Sequence, residues 1–131
     1  MSIQHYMPEN EPVLLSILEG DIDVNEVQEL FAFVDELITE RDLPMLYWIG
    51  DSRAVNATHE IMLKSIEITM SGTKGSGGDD RVIPLMVMDE KLYDYFTGEF
   101  QNRYSWTKFP VFKSTFEAFE FVQYLRGLNG E

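Results

Sequence analysis

The stretch VLLSILEGDID, residues 13–23, joins an apolar run of strand length to the start signal of a helix. Residues 13–18 form the apolar run, which is typical of a buried strand, and Gly20 follows as a breaker. Asp23 and Glu26 then have the spacing of a capping box, in which each side chain accepts a backbone N–H at a helix start. A buried strand that leads straight into a helix favours an α/β fold.

The segments on either side of this stretch extend the pattern. Upstream, residues 3–7 have extended character and Pro8 ends them, which predicts a hairpin with the strand at residues 13–18. Downstream, apolar residues recur at helical spacing, which predicts an amphipathic helix ending near Arg41. The residues of this apolar stripe are Val27, Leu30, Phe31, Val34, Leu37 and Ile38.

The rest of the chain alternates between predicted strands and helices. Strands are predicted at residues 45–49, 82–88 and 109–113, and helices at residues 56–70, 91–100 and 114–127. Pro84 lacks a backbone N–H, so that end of its strand is expected to lack a partner or to lie at an edge. The order is β-β-α-β-α-β-α-β-α. It predicts one domain over residues 1–131, an α/β fold whose mostly parallel sheet carries an antiparallel hairpin strand at its N-terminus.

Composition and charge exclude several classes of function. The chain has 131 residues, no Cys, and a formal net charge of −13 from 23 acidic and 10 basic residues. Such a surface repels nucleic acid and anionic lipid headgroups, whereas a protein partner with a basic face would be attracted. The same acids could serve only to keep the protein soluble. With no secretory signal and no apolar run of about 20 residues, we expect a cytoplasmic protein without a membrane span.

The stretch MSGTKGSGGDD, residues 70–80, resembles a phosphate-binding loop in composition only. In a P-loop a strand precedes the glycines and a helix follows them, so that the helix N-terminus faces the phosphate. Here a predicted helix comes first and a strand comes after, and Asp79 and Asp80 would repel an anion. We therefore expect a flexible connection, and we expect residues 72–78 to contribute little to stability.

Several charged residues are predicted at the carboxyl ends of strands, where parallel sheets bind ligands. Asp51 and Asp89 each follow an apolar run, and a third acidic strand end lies at Glu19 and Asp21. With Lys113 after the last strand, this set resembles the magnesium and phosphoryl site of response-regulator receivers. The alternative is that these acids cap helices or form turns. No catalytic triad or elbow motif is present, and we expect no enzymatic activity, no cofactor and no metal.

An aromatic segment at residues 93–106 is the other candidate site. It contains six aromatic residues, which could pack as core, line an apolar pocket or form a contact surface. A surface of this kind would suit an apolar small molecule, a protein partner or a two-fold homodimer. The candidate binding residues here are Tyr93, Phe96, Phe100, Tyr104 and Trp106.

The order of elements resembles the STAS fold, named for sulphate transporters and anti-sigma-factor antagonists, and within it the SpoIIAA-like group. The stretches that carry the resemblance are residues 17–23, the strand ending at Asp51, residues 79–87 and residues 111–119. Together they cover nearly the whole chain. The SpoIIAA-like group is also related in shape to Sec14-type lipid-binding domains.

This resemblance implies a non-catalytic binding or regulatory module that binds a protein or an apolar small molecule. Members of the fold are switched by phosphorylation of a serine in an Asp-Ser-Ser-Gly turn. Ser52 occupies the matching position, but Arg53 and Ala54 replace the second Ser and the Gly. Ser52 is therefore the phosphorylation candidate, and the changed motif leads us to expect no switch there. The receiver-like magnesium site remains the alternative.

Overall fold

The computed structural model describes residues 1–95, 98, 110–128 and 130. Its elements, in chain order, are β1 (Ser2–Tyr6), β2 (Val13–Asp21), α1 (Val24–Glu40), β3 (Leu46–Asn56), α2 (His59–Met70), β4 (Val82–Val87), α3 (Glu90–Tyr95), β5 (Val111–Phe112) and α4 (Thr115–Leu128). Within these ranges, no helix is both long and apolar enough to cross a membrane.

The sheet has the order β1-β2-β3-β4-β5. β1 is antiparallel to β2 and every other neighbouring pair is parallel, which confirms the predicted fold class. Two apolar clusters lie on opposite faces of the sheet. In one, α1 packs on Leu14 and Trp48; in the other, Ala118 of α4 packs on Tyr47 and Ile49. α2 lies beside α1 on the first face.

The predicted start of α1 is confirmed. The Glu26 N–H donates to Asp23 Oδ1 over 2.8 Å, and the Asp23 N–H donates to Glu26 Oε1 over 3.3 Å. Glu26 also binds the Met1 amino group at 2.8 Å, which ties the chain terminus to α1. This helix start lies just beyond the carboxyl end of β2, so the crossover to β3 begins at the edge where parallel sheets bind ligands.

β3 is longer than the sequence indicated. The strand predicted at residues 45–49 continues through residues 50–53, and Gly50 and Asp51 pair with β2 on one side and β4 on the other. The partners of Asp51 in the ladder are Ile17 and Val87. Consequently α2 begins at His59, where Thr58 caps it by accepting the Ile61 N–H over 3.2 Å.

The proline in β4 lies where its missing N–H is tolerated. Pro84 pairs with Trp48 of β3, whereas β5 pairs with β4 only at Met86 and Val87. Among the described residues, the Pro84 end of β4 therefore has no strand on its outer side. This agrees with the expectation of an unpaired end.

The expectation of a loose, flexible glycine loop is wrong. Gly75 and Ser76 are buried, and Ser76 is fully inaccessible to solvent. The Gly75 N–H donates to Asp79 Oδ2 over 2.8 Å, and the Ser76 hydroxyl donates to the Thr73 carbonyl over 2.6 Å. A Cβ added to Gly75 would lie 1.9 Å from the Phe31 carbonyl oxygen, so the loop lies directly on the backbone of α1. Its glycines allow this close approach.

Arg81 fastens the end of this loop to α1. Its Nε donates to Asp79 Oδ1 over 3.1 Å, and its Nη2 donates to Asp79 Oδ2 and Asp35 Oδ1 over 2.6 and 2.7 Å. The hydrogen bonds from Arg81 outweigh burial and hold the pKa of Asp79 far below its ordinary value. This contact could not be predicted from local sequence, because Asp35 and Arg81 are 46 residues apart.

Candidate functional site

A cavity of about 790 Å³ lies between the sheet and the layer formed by α1 and α2. Its walls come from β2, β3, β4 and three helices, and most of the residues that line it are apolar. The apolar lining includes Leu18, Ile22, Val27, Leu30, Phe31, Trp48, Val55, Ile61, Met62, Pro84, Met86, Met88 and Leu92.

Two features of the backbone elements keep this space open. Alternate residues of β3 face the cavity, and the series Trp48, Gly50, Ser52 changes from a large side chain to none and then to a small one. A Cβ placed on Gly50 would meet no atom within 4 Å. On the opposite wall, Ile61 and Met62 of α2 are only half-buried, so α2 stands off the sheet instead of filling the space.

The hydroxyl groups on the α2 wall are already bonded within the helix. Ser65 Oγ donates to the Ile61 carbonyl over 2.8 Å, and Thr69 Oγ1 donates to the Ser65 carbonyl over 2.9 Å. Each hydroxyl therefore satisfies its donor without a ligand or a water molecule. The wall behaves as a less polar surface than its sequence indicates.

The polar residues of the cavity gather at the carboxyl ends of the strands. They are exposed, and they follow β2, β3 and β4 in turn, as the ligand edge of a parallel sheet requires. The residues of this rim are Asp21, Asn56, Thr58, Asp89 and Lys91. The cavity is thus apolar inside and polar at its mouth.

A buried hydrogen-bond chain fixes Trp48 in the cavity wall. Trp48 Nε1 donates to Ser16 Oγ over 2.9 Å, which leaves the Ser16 hydroxyl proton free to donate to His5 Nδ1 over 2.8 Å. Nδ1 can accept this hydrogen bond only when His5 is neutral. Burial lowers the pKa of His5, which favours the neutral form. His5 also stacks on Phe33 with the ring centroids 4.1 Å apart. The indole is therefore held in one orientation.

Asp51 does not reach this cavity. Its side chain is only 5% exposed and lies on the α4 face of the sheet with Tyr47 and Ile49. Arg53 donates to both of its carboxylate oxygens, with Nε to Oδ1 at 3.0 Å and Nη2 to Oδ2 at 2.7 Å. Burial alone would raise the pKa of Asp51, but the hydrogen bonds from Arg53 outweigh it and lower the pKa. Asp51 is a structural ion-pair partner and not a free ligand.

The geometry that the receiver-like alternative needs is not formed by the described residues. Asp51 lies inside β3 instead of at its end, and Asp89 caps α3 by accepting the Leu92 N–H over 2.9 Å. In the described part of the chain, no three His, Asp or Glu side chains lie where they could hold one metal ion.

Ser52 is placed differently from the sequence expectation. The resemblance implies that this serine lies at the start of the following helix, where the helix dipole would favour a phosphate. Instead it lies within β3 and lines the cavity, while Thr58 occupies the N-cap of α2. The helix-dipole argument for a phosphorylation switch at Ser52 therefore does not apply.

Of the aromatic segment, the structure describes only the beginning. Tyr93 is half-buried on α3, and the Lys113 Nζ lies 4.9 Å from the centroid of its ring. The remaining candidates, Phe96, Phe100, Tyr104 and Trp106, lie outside the described residues.

Two surfaces of the structure were not predicted from the sequence. One is the cavity floor at Gly50. The other is a row of exposed apolar side chains on α4: Phe116, Tyr124 and Leu128 are 69%, 61% and 66% exposed. Their separations of eight and four residues place them along one side of a helix, and this spacing could have been recognised in the sequence.

No protein-family model matches this chain, and no curated protein sequence matches it significantly. Solved structures do match it along nearly its whole length. An uncharacterised protein of the DUF3478 family from Shewanella loihica PV-4, described as having a SpoIIAA-like fold, is 9% identical with a TM-score of 0.59. The match covers 92% of this chain and 91% of that one.

Two anti-sigma factor antagonists match in the same way. SpoIIAA in its unphosphorylated form is 11% identical with a TM-score of 0.59, and the match covers 93% of this chain and 98% of that one. An anti-sigma factor antagonist from Mycobacterium paratuberculosis is 17% identical with a TM-score of 0.52, covering 93% and 95%. The chain therefore has a SpoIIAA-like fold of the STAS type, which confirms the resemblance seen in the sequence.

Proposed function

We propose that this protein is a non-catalytic, cytoplasmic binding module that holds an apolar small molecule in the cavity between α2 and the sheet. The observation that carries the proposal is the cavity of about 790 Å³ with an apolar interior and a polar mouth. Small-molecule sites in proteins have volumes of about 300–1,000 Å³, apolar walls and a few polar groups that orient the ligand.

The energetics favour occupation of this space by an apolar molecule. Burial of apolar surface contributes roughly 25 cal/mol per Å², and most of the residues that line the cavity are apolar. Three polar groups inside are satisfied without a ligand, since Ser65 and Thr69 bond within α2 and Trp48 bonds to Ser16. An apolar ligand therefore leaves none of these groups unpaired.

Native mass spectrometry of the purified protein and binding of the neutral dye Nile red to the delipidated protein test this proposal. We expect a co-purifying mass of a few hundred daltons and saturable dye emission. Met62→Gln places an amide in the cavity wall and should weaken dye binding roughly tenfold. Leu63→Gln is the matched control, since Leu63 does not line the cavity. A bare protein that gives no dye emission would contradict the proposal.

A second candidate function, contact with a protein partner, is favoured by the exposed row on α4. The exposed Glu117 and Glu120 lie between Phe116 and Tyr124 on this helix, and the whole chain carries a net charge of −13. Apolar side chains within an acidic surface fit a partner that presents an apolar patch surrounded by basic residues. Two of the proteins that share this fold are anti-sigma factor antagonists, which supports a regulatory role.

A photocrosslinking amino acid placed at Phe116, in the native cell, tests the second candidate. We expect one crosslinked partner whose contact surface is basic, and no product from the same group at Gln28, an exposed position on α1. Light scattering of the purified protein should give the mass of a monomer. A doubled mass with self-crosslinks at Phe116 would show a homodimer instead and contradict the basic partner.

A further inference from the structure

We infer that the ligand is an elongated single-chain amphiphile and that Gly50 determines how long its apolar chain can be. This inference rests on the proposed function and adds the class of the ligand and the residue that selects it. Three observations carry it: a glycine that its own backbone does not require, a cavity that extends along β3, and the polar mouth of that cavity.

Gly50 has no local reason to be glycine. Its φ lies outside the left-handed region that favours glycine, and a Cβ there would meet no atom within 4 Å. It pairs with Ser16 and Met86 in the middle of the sheet, where glycine is normally less stable than residues with side chains. The effect of its missing side chain is open space, and that space belongs to the cavity.

The cavity is extended along β3. Trp48, Gly50 and Ser52 all line it, and four strand residues at roughly 3.3 Å each correspond to about 13 Å. Asn56 lines it further toward the carboxyl end, so the full length is greater. Gly50 lies between the inner part at Trp48 and Pro84 and the outer part at Ser52. A side chain at this position would divide the two parts.

The polarity of the lining orients the ligand. Apolar residues surround the inner part, whereas Asp21, Asn56 and Asp89 lie at the mouth. A molecule that is polar at one end and apolar along its chain matches this arrangement with its polar end outward. The net charge of −13, with Asp21 and Asp89 beside Lys91 at the mouth, disfavours an anionic head, and the Asn56 amide offers hydrogen bonds to an uncharged one.

Displacement of Nile red by straight-chain primary alcohols, from hexanol to tetradecanol, tests the inference on the delipidated protein. With the wild-type chain, affinity should rise about three- to fourfold per methylene until the alcohol fills the cavity. In Gly50→Leu the rise should stop at a shorter alcohol, and in Gly50→Ala at an intermediate one. Ala54→Leu is the control, because Ala54 lies on the same strand, is exposed and does not line the cavity.

The outcomes separate the two proposals. If no alcohol and no dye binds the wild-type protein, the proposed function itself fails. If the alcohols bind and the longest effective chain is the same in wild type, Gly50→Ala and Gly50→Leu, the function stands and the role of Gly50 is wrong. Thermal unfolding of each variant is measured alongside; should Gly50→Leu fail to fold, the smaller shift in Gly50→Ala decides the result.

Discussion

Replacement of Gly75 by alanine is expected to lower the free energy of unfolding by about 3 kcal/mol or more and the melting temperature by roughly 10 °C. Gly75 has a φ of +83°, which is costly for any residue with a Cβ. The added Cβ would also lie 1.9 Å from the Phe31 carbonyl oxygen and 2.7 Å from the Asp35 nitrogen. Both are backbone atoms of α1, so neither can move away as a flexible side chain would.

Two other glycines separate backbone strain from steric overlap. Gly72 has a φ of +76°, but the atom nearest to an added Cβ would be 3.8 Å away. Gly72→Ala should therefore lower the free energy of unfolding by only about 1–2 kcal/mol. Gly127 lies in α4 with open space around it, and Gly127→Ala should be neutral or slightly stabilising. Equal melting temperatures for Gly75→Ala and Gly127→Ala would show that residues 72–78 are the loose connection that the sequence indicated.

The second large effect is expected at Arg81. Arg81→Met should lower the free energy of unfolding by about 2–4 kcal/mol, measured by denaturant unfolding. The substitution removes the hydrogen bonds to Asp35 and Asp79 and leaves the Asp79 carboxylate, which is only 7% exposed, without its counter-charge.

Lys64→Met provides the control for Arg81→Met. Lys64 pairs with Glu60 across one turn of α2 at 3.4 Å, and both side chains are more than half exposed, so the loss should be below about 0.5 kcal/mol. The pH dependence gives an independent check. Because the pKa of Asp79 is lowered by folding, its ionised carboxylate stabilises the fold at pH values above the ordinary pKa of 3.8. This contribution to stability is lost as the pH falls below 3.8. Arg81→Met should make the loss of stability at low pH smaller. An acid unfolding transition identical to that of the wild type would contradict the stabilising role of the Asp79–Arg81 pair.

The sequence was sufficient to predict the architecture because local signals agreed with the long-range arrangement. The Asp23–Glu26 capping box, the apolar stripe of α1 and the strand lengths all depend on residues close in the chain. Alternation of strands and helices then leaves few topologies, and the parallel sheet with its N-terminal hairpin is among them.

The errors in the sequence analysis arose where tertiary contacts override local composition. Residues 50–53 have the composition of a turn, yet Gly50 and Asp51 pair with both neighbouring strands, and Arg53 satisfies the buried Asp51 carboxylate. Likewise, the glycines of residues 72–78 were interpreted as flexible, although Gly75 is required by close approach to α1. In both places an Asp-x-Arg pair, Asp51–Arg53 and Asp79–Arg81, forms the same local contact.

The cavity could not have been predicted from the sequence, because it depends on the absence of a side chain at Gly50. Gly50 contributes space only when α2 stands above it with Ile61 and Met62 half-buried, and neither fact follows from spacing along the chain. The ligand edge itself was predictable, since Asp89 follows β4 and Asp21 ends β2, as the general position of sites in parallel sheets requires.

The fluorescence of Trp48 tests the central claim most directly. The chain has two tryptophans, so Trp106→Phe leaves Trp48 as the reporter, with its indole held by Ser16 in the cavity wall. A long straight-chain alcohol that carries bromine at its apolar end should quench this emission saturably, while the same alcohol without bromine should not. Binding of the brominated alcohol that leaves Trp48 emission unchanged, or no binding at all, would contradict a ligand site between α2 and the sheet.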